Sequence, residues 1–192
     1  MKGAGVCMKP TEQLKAEHEA IKIALSILGN VSKKLAAGET INQEDLGRIL
    51  EFIKTFADTC HHGKEEGLLF VALEKVGMPR DRGPIAVMLT EHEMGRSYVR
   101  NMREAVEKYK AGGSSYSSQF IENAEKYIEL LTQHIGKEDN ILYPMADMQL
   151  PEEAQHELIE EFEKLEQERI GIGRHEELHE LLHRLKDTYL ES

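Results

Sequence analysis

Cysteine, proline and tryptophan are scarce in this chain of 192 residues, which contains two cysteines, five prolines and no tryptophan. Cys7 and Cys60 alone imply no disulfide framework, and such usage favours a reducing compartment, the cytoplasm. No apolar run approaches the roughly 20 residues that cross a bilayer, and the first residues lack the apolar core of a secretory signal. These absences predict a cytoplasmic protein that is not embedded in a membrane.

Basic residues are also few, since 24 lysines and arginines stand against 35 aspartates and glutamates, a formal net charge of −11. Nucleic acids and anionic membrane surfaces attract basic proteins, so this balance excludes both kinds of partner. What the chain does contain suits a helical core, because 40% of its residues are hydrophobic and 31% are charged. The length fits one domain with room for an appendage.

Apolar residues recur throughout at steps of three and four, which is the helical period, and no segment alternates with a period of two. We therefore predict an all-α protein with six helices. They are expected at about residues 11–35, 43–76, 84–111, 117–145, 151–170 and 174–189.

Short joins between the first four helices are typical of an up-down-up-down four-helix bundle, which is predicted over residues 11–148. A flexible N-terminus (1–10) precedes it. The two extra C-terminal helices form an extension (149–192) that is expected to pack on the bundle. The link Gly112-Gly113-Ser114-Ser115 is predicted to be the most flexible stretch of the chain.

Four histidines form two copies of one pattern. His18 and His92 each stand between two glutamates, and about forty residues after each comes a His-x-x-x-Glu segment. The copies are nearly in phase, 74 residues apart at the first histidine and 73 apart at the second. The residues of the doubled pattern are His18, His61, Glu65, His92, His134 and Glu138.

All six residues fall on the apolar stripe of their helices, where a bundle otherwise places leucine or isoleucine. The stripe continues past the site through Leu68 and Ala72 in the second helix and through Ile141 and Met145 in the fourth. These positions are expected to face the axis of the bundle.

Such a set of side chains needs a compensating charge. A buried carboxylate without a partner is normally protonated or paired, and here two glutamates share one axis with four imidazoles. A pair of divalent cations supplies the charge. His and Glu four residues apart lie on one helix face, so the glutamates can bridge two metals while the histidines bind terminally.

Two alternatives stay open in the register of the ligands. His62 and Glu66 form a second i,i+4 pair on a less apolar stripe, but the repeat aligns His61, not His62, with His134. Asp139 is an alternative to Glu138, from which it lies roughly 100° around an ideal helix.

Several neighbours of these residues have a packing interpretation beside a chemical one. Cys60 is interpreted as packing, and Arg96, one turn after His92, can hydrogen-bond near the metals. Tyr127 and Tyr143 are interpreted as bundle core, and as possible hydrogen-bond donors at the site. The glutamates that flank the first histidines either orient imidazoles or lie on an exposed flank, and they are Glu17, Glu19, Glu91 and Glu93.

A further motif, His175-Glu176-Glu177-Leu178-His179, reads as the His-Glu-x-x-His helix of zinc proteases. That helix needs a third ligand downstream, and Leu185 stands where the longer motif has histidine. We therefore interpret this helix as a flank that covers the bundle, with Leu178, Leu182 and Tyr189 on its buried stripe.

The doubled pattern resembles the hemerythrin-like (HHE cation-binding) family over roughly Leu14 to Met145. That family has a histidine on its first and third helices, His-x-x-x-Glu on its second and a histidine-led acidic motif on its fourth. The strings KEEGLLF at 64–70 and KEDNILY at 137–143 strengthen the resemblance. It implies two non-haem iron ions joined by an oxo or hydroxo bridge.

Arg96 stands where oxygen-carrying members of the family have a fifth histidine, which implies a more open iron here. The resemblance then favours a protein that binds a small diatomic (oxygen, nitric oxide) or peroxide, in oxygen or redox sensing or stress response. A redox enzyme that reduces peroxide or nitric oxide, or repairs iron centres, with an unidentified electron donor, is the alternative. A purely structural or zinc-filled bundle is disfavoured, because it has no need of buried bridging carboxylates.

Overall fold

The computed structural model of the chain describes residues 8–110 and 116–191, and every regular element within them is helical. The prediction of an all-α protein is confirmed. The six helices are α1 (Pro10–Ala36), α2 (residues 43–75), α3 (Gly83–Lys110), α4 (residues 116–149), α5 (Glu152–Arg169) and α6 (Arg174–Tyr189).

The first helix begins at Pro10, where the missing N–H costs nothing because the first turn of a helix leaves its N–H groups unpaired. The main-chain N–H of Lys9 donates to the carboxylate of Glu12 at 2.9 Å, which closes this turn. Residues 1–7 of the predicted flexible N-terminus lie outside the described residues. The predicted flexible link, 112–115, lies outside them as well.

Two clusters of buried apolar side chains fill the interior, and the residues of the doubled pattern lie between them on each of the helices α1–α4. In α1, Leu14 belongs to the smaller cluster and Ile21 to the larger one, with His18 between them. The order reverses in α2, where Ala57 belongs to the larger cluster and Leu69 to the smaller. Helix α3 repeats the order of α1, and α4 repeats that of α2. Four helices thus present their site residues at one level.

The two helices that carry His-x-x-x-Glu depart from α-helical geometry at the site. Helix α2 is π-helical over Ile53–His62 and again over Glu65–Leu69, and α4 is π-helical over Glu138–Leu142. A π turn closes its hydrogen bond over five residues instead of four, so it inserts one extra residue into the face that points inward. Such turns often occur at functional sites.

These π turns overturn part of the predicted stripe. Ile141, expected in the interior, is 53% exposed, whereas Leu142 is 1% exposed. In α2, Leu68 and Ala72 are only half-buried, and the inward positions pass to Leu69 and its neighbours. The prediction was wrong beyond the glutamates because it carried the α-helical period through a segment where the register advances by one residue.

The last two helices cover α1 and α2, which they contact directly. Helix α6 contributes Leu178 and Leu182 to the larger cluster, and α5 contributes Leu158 and Phe162 to the smaller one. None of the helices within 8–110 and 116–191 combines the length and the apolar character that a membrane crossing requires.

The register of α4 can be tested with two neighbouring alanine substitutions. Leu142→Ala is expected to lower the free energy of unfolding by about 2–5 kcal/mol, because it empties a filled part of the core. Ile141→Ala is the matched control and is expected to change it by less than about 0.5 kcal/mol, as at most exposed sites. Urea denaturation of the metal-free protein measures both, and a larger loss at Ile141 would contradict the π register.

Candidate metal centre

The four helices α1–α4 bring the residues of the doubled pattern together in the interior. Each of these side chains belongs to a residue no more than 1% exposed. The buried set consists of His18, His61, Glu65, His92, His134 and Glu138.

The histidines meet as two pairs, one from each half of the repeat. Nε2 of His18 lies 3.0 Å from Nε2 of His61, and Nε2 of His92 lies 3.1 Å from Nε2 of His134. Within each pair the two rings are inclined to one another, so the shared point of approach is the Nε2 edge of both. The site therefore has two points of convergence, and at each of them the Nε2 atoms of two histidines meet.

Each of the four histidines has its outer nitrogen, Nδ1, against a carboxylate oxygen at 2.7–2.9 Å. An ionised carboxylate can only accept, so Nδ1–H donates, and when the ring is neutral its lone pair is at Nε2. Carboxylates hold metal-binding histidines in the same manner, fixing the tautomer and the ring orientation. The pairs are Glu17 with His61, Asp139 with His18, Glu66 with His92, and Glu91 with His134.

The carboxylate Glu138 lies between the two pairs. Its Oε2 is 3.2 Å from Nε2 of His18, and its Oε1 is 3.0 Å from Nε2 of His134. Within 8–110 and 116–191, neither oxygen has a hydrogen-bond donor nearby other than the histidine rings of the site. A carboxylate with one oxygen at each point of convergence has the placement of a bridging ligand.

Glu65 approaches both pairs from the opposite half of the repeat. Its Oε2 lies 3.4 Å from Nε2 of His92 and 3.9 Å from Nε2 of His61. Its other oxygen accepts a hydrogen bond from the hydroxyl of Tyr143 at 2.8 Å. Tyr143, predicted as core and possible donor, therefore serves as both.

The pKa values of the histidines respond to the two buried carboxylates. Burial by itself lowers the pKa of His18, but hydrogen bonds to Asp139 and Glu138 raise it to about 9. Burial also lowers the pKa of His92, and its carboxylate neighbours raise it well above the usual value. Protons thus stand in for the positive charge that two buried carboxylates demand. The donor set fits divalent cations, which would displace those protons on binding.

The alternatives of the ligand register take other places in the structure. Asp139 and Glu66 each lie against the outer nitrogen of a histidine, not between the pairs, so the geometry favours Glu138 and Glu65 as ligands. His62 is buried as well, and its ring stacks on that of His92. Burial lowers the pKa of His62 well below its usual value, so this ring is neutral.

The flanking residues divide between the packing and the chemical interpretation. Glu17 and Glu91 orient imidazoles, whereas Glu19 and Glu93 are exposed. Cys60 is buried, and desolvation raises the pKa of its thiol to about 12, which leaves it protonated and unreactive.

Arg96 donates to Asp58 at 2.8 Å and to Glu66 at 2.5 Å. It thereby holds the carboxylate that orients His92. The His-Glu-x-x-His helix packs its rings of His175 and His179 on Phe56, and neither belongs to a metal-binding group of the described residues.

Sequence reasoning missed Lys64, which is fully buried. Its ammonium donates to Glu17 at 2.6 Å and to Glu166 of α5 at 2.9 Å, so it ties the C-terminal extension to the carboxylate that orients His61. Lys137 donates to Glu91 in the same way, but its side chain is 35% exposed. The signal was present, because both His-x-x-x-Glu segments have lysine before the glutamate.

Comparison with known proteins supports a cation-binding role. The sequence profile described as the hemerythrin HHE cation binding domain matches residues 9–146. Three mycobacterial proteins described only as uncharacterized, two from Mycobacterium tuberculosis and one from Mycobacterium bovis, are each 24% identical over 160 residues. The match covers 83% of this chain and 62% of each relative. No solved structure matches the chain significantly.

The two lysines allow a matched test of burial. Lys64→Met is expected to lower the free energy of unfolding of the metal-free protein by about 3 kcal/mol, because it leaves the buried carboxylate of Glu17 without its ammonium partner. Lys137→Met should cost at most about 1 kcal/mol, since a pair near the surface is screened by water. Denaturation by urea measures both values, and equal losses would refute the asymmetry between the two halves.

Proposed function

The chain belongs to the hemerythrin HHE cation-binding domain family, and on that premise we propose that it holds two non-haem iron ions. One ion is bound between His18 and His61, and the other between His92 and His134. Glu65 and Glu138 bridge them. The observation that carries this proposal is the position of Glu138, with one oxygen at the Nε2 atoms of each histidine pair.

The proposal includes the predicted up-down-up-down arrangement of α1–α4. Its support is the order of the two apolar clusters, which reverses from each helix to the next. In a bundle of this kind, two neighbouring helices supply each pair of histidines, and the two halves of the repeat pack against each other around the site.

We further propose that the iron pair binds a small diatomic molecule or peroxide, in oxygen or redox sensing or in a stress response. When bound, iron supplies an exchangeable coordination position and one-electron redox chemistry. The chain's own residues fix the ligands and exclude water. Four carboxylates hold the imidazoles by Nδ1, and Tyr143 holds Glu65. Imidazole and carboxylate ligands together suit iron, whereas a structural zinc site is commonly four-coordinate.

A cavity of about 290 Å³ reaches the rings of His62 and His92 from the surface. Its inner wall is apolar, with Val99 and Tyr127, and its outer wall carries Lys54, Arg100 and Arg103. Such a volume is about ten times the 30 Å³ that a water molecule occupies in the liquid. This size and the cationic wall favour a second candidate function, a redox enzyme acting on peroxide or nitric oxide with a separate electron donor.

Iron analysis tests the proposed metal pair directly. Anaerobic loading is expected to give two irons per chain in the unaltered protein, measured by mass spectrometry of the metal after gel filtration. His61→Ala removes one imidazole from the first ion and should leave about one iron bound. His183→Ala is the control, because His183 is exposed on α6 and should not affect the count. One iron per unaltered chain, or zinc in place of iron, would exclude a di-iron protein.

Mixing the reduced, iron-loaded protein with oxygen separates the two candidate functions. An optical spectrum that returns to its starting form when oxygen is removed identifies a carrier or reversible sensor. Rapid oxidation that only a reductant reverses identifies redox turnover.

A further inference from the structure

The cavity of about 290 Å³ lies between α2 and α3 and reaches the candidate metal centre at its buried end. There the ring of His62 stacks on that of His92. Four residues earlier in α2, Asp58 accepts a hydrogen bond from Arg96, which is four residues later in α3. The two helices therefore run in opposite directions along the cavity, and its outer end is lined by residues still earlier in α2 and still later in α3.

The outer end of the cavity is cationic, with Lys54, Arg100 and Arg103 in its lining. Arg100 has a carboxylate partner, Glu93, at 3.2 Å, whereas Lys54 and Arg103 form no ion pair with any residue in 8–110 and 116–191. Among the described residues that line the cavity one is acidic, and it already accepts from Arg96. In a chain with a net charge of −11, two unpaired cations at one opening favour an anionic ligand.

The buried part of the cavity combines apolar walls, Ile53 and Val99, with polar atoms that are not used elsewhere. Tyr127 lines it, and its hydroxyl has no hydrogen-bond partner in the part of the chain that the structure describes. Burial and the charge of Asp58 raise the pKa of Tyr127, so the hydroxyl keeps its proton and can donate. Nδ1 of His62 is also buried without a partner. Because such atoms are costly to leave unpaired, they indicate a polar group on the ligand.

The internal repeat shows that packing alone does not require these lining residues. With the offsets of 73 and 74, Asp58 is matched by Leu131 and Gly95 by Ile21. Both matched residues are buried members of the larger apolar cluster. A Cβ atom at Gly95 would lie 3.5 Å from the ring of Tyr127, so the glycine leaves room beside that ring. One half of the repeat thus places aliphatic side chains where the other half is open and polar.

We propose that this cavity binds an organic carboxylate of about ten non-hydrogen atoms, the number that its volume admits, with an oxygen group at the far end. The carboxylate pairs with Lys54 and Arg103, and the hydrocarbon lies against the apolar walls. The far oxygen accepts a hydrogen bond from Tyr127. The binding itself does not depend on the metal pair proposed above, but it places the oxygen group beside the ring of His92.

Titration calorimetry of the metal-free protein with octanoate tests the site without reference to activity, and it avoids direct binding of the carboxylate to iron. One octanoate per chain is expected to bind. Hexanoate should bind about fifteenfold more weakly, because each buried methylene contributes about fourfold. Equal affinities for octanoate and acetate, or no binding of octanoate at millimolar concentration, would overturn the proposal and leave the metal pair unaffected.

Removing the two unpaired cations locates the carboxylate. Lys54→Gln combined with Arg103→Gln is expected to weaken octanoate about tenfold, the effect of two ion pairs near the surface. The same double variant should bind octanol, which has no charge, as the unaltered protein does. Lys75→Gln, an exposed substitution outside the cavity lining, is the control and should keep the affinity for octanoate. An unchanged affinity in the double variant would overturn the proposed position of the carboxylate.

The far end is tested with 8-hydroxyoctanoate. It is expected to bind the unaltered protein about fivefold more tightly than octanoate, because its hydroxyl oxygen accepts from Tyr127. In Tyr127→Phe the two acids should bind equally. The absence of a preference in the unaltered protein, or the same preference in both proteins, would overturn the role of Tyr127. The comparison of acids in the unaltered protein decides the matter even where a variant does not fold.

Discussion

The charge balance of two buried carboxylates governs the rest of this structure. Glu65 and Glu138 are fully buried, and among the described residues no lysine or arginine forms an ion pair with either. An ionised carboxylate in such a place demands positive charge at close range. Protonated imidazoles provide it in the metal-free protein, and a cation at each histidine pair provides it in the proposed loaded state. The carboxylates around the site hold those imidazoles in position.

The site is built in nested layers that repeat in the two halves of the chain. Carboxylates hold the outer nitrogens of the histidines, and lysine or arginine holds those carboxylates in turn. Two of the four carboxylates come from the other half of the repeat, so neither half can orient its own histidines alone. The outermost layer differs, because α5 buries Lys64 while Lys137 keeps partial access to water. The C-terminal extension therefore makes the two halves inequivalent.

Much of this arrangement was predictable from the spacing of a few residues. His18 and His92, each followed by His-x-x-x-Glu on the next helix, lie on apolar stripes, and the structure brings all six residues to one level. The π turns were not predictable from periodicity, since the string from Glu138 to Leu142 reads equally well as α-helix until Ile141 is found exposed. The inward position of His62 depends on the same turns. The burial of Lys64 depends on the packing of α5, which lies about a hundred residues away in sequence.

The central claim is that Glu65 and Glu138 hold two metal ions side by side. X-ray absorption spectroscopy of the protein loaded with two irons per chain measures this most directly, through the scattering of one iron by the other. Carboxylate-bridged metals lie about 3.5–4 Å apart, and a shorter single-atom bridge keeps them within that range or closer. The account predicts an iron scatterer within about 4 Å of each iron. A spectrum with only light-atom shells of nitrogen, oxygen and carbon would contradict it.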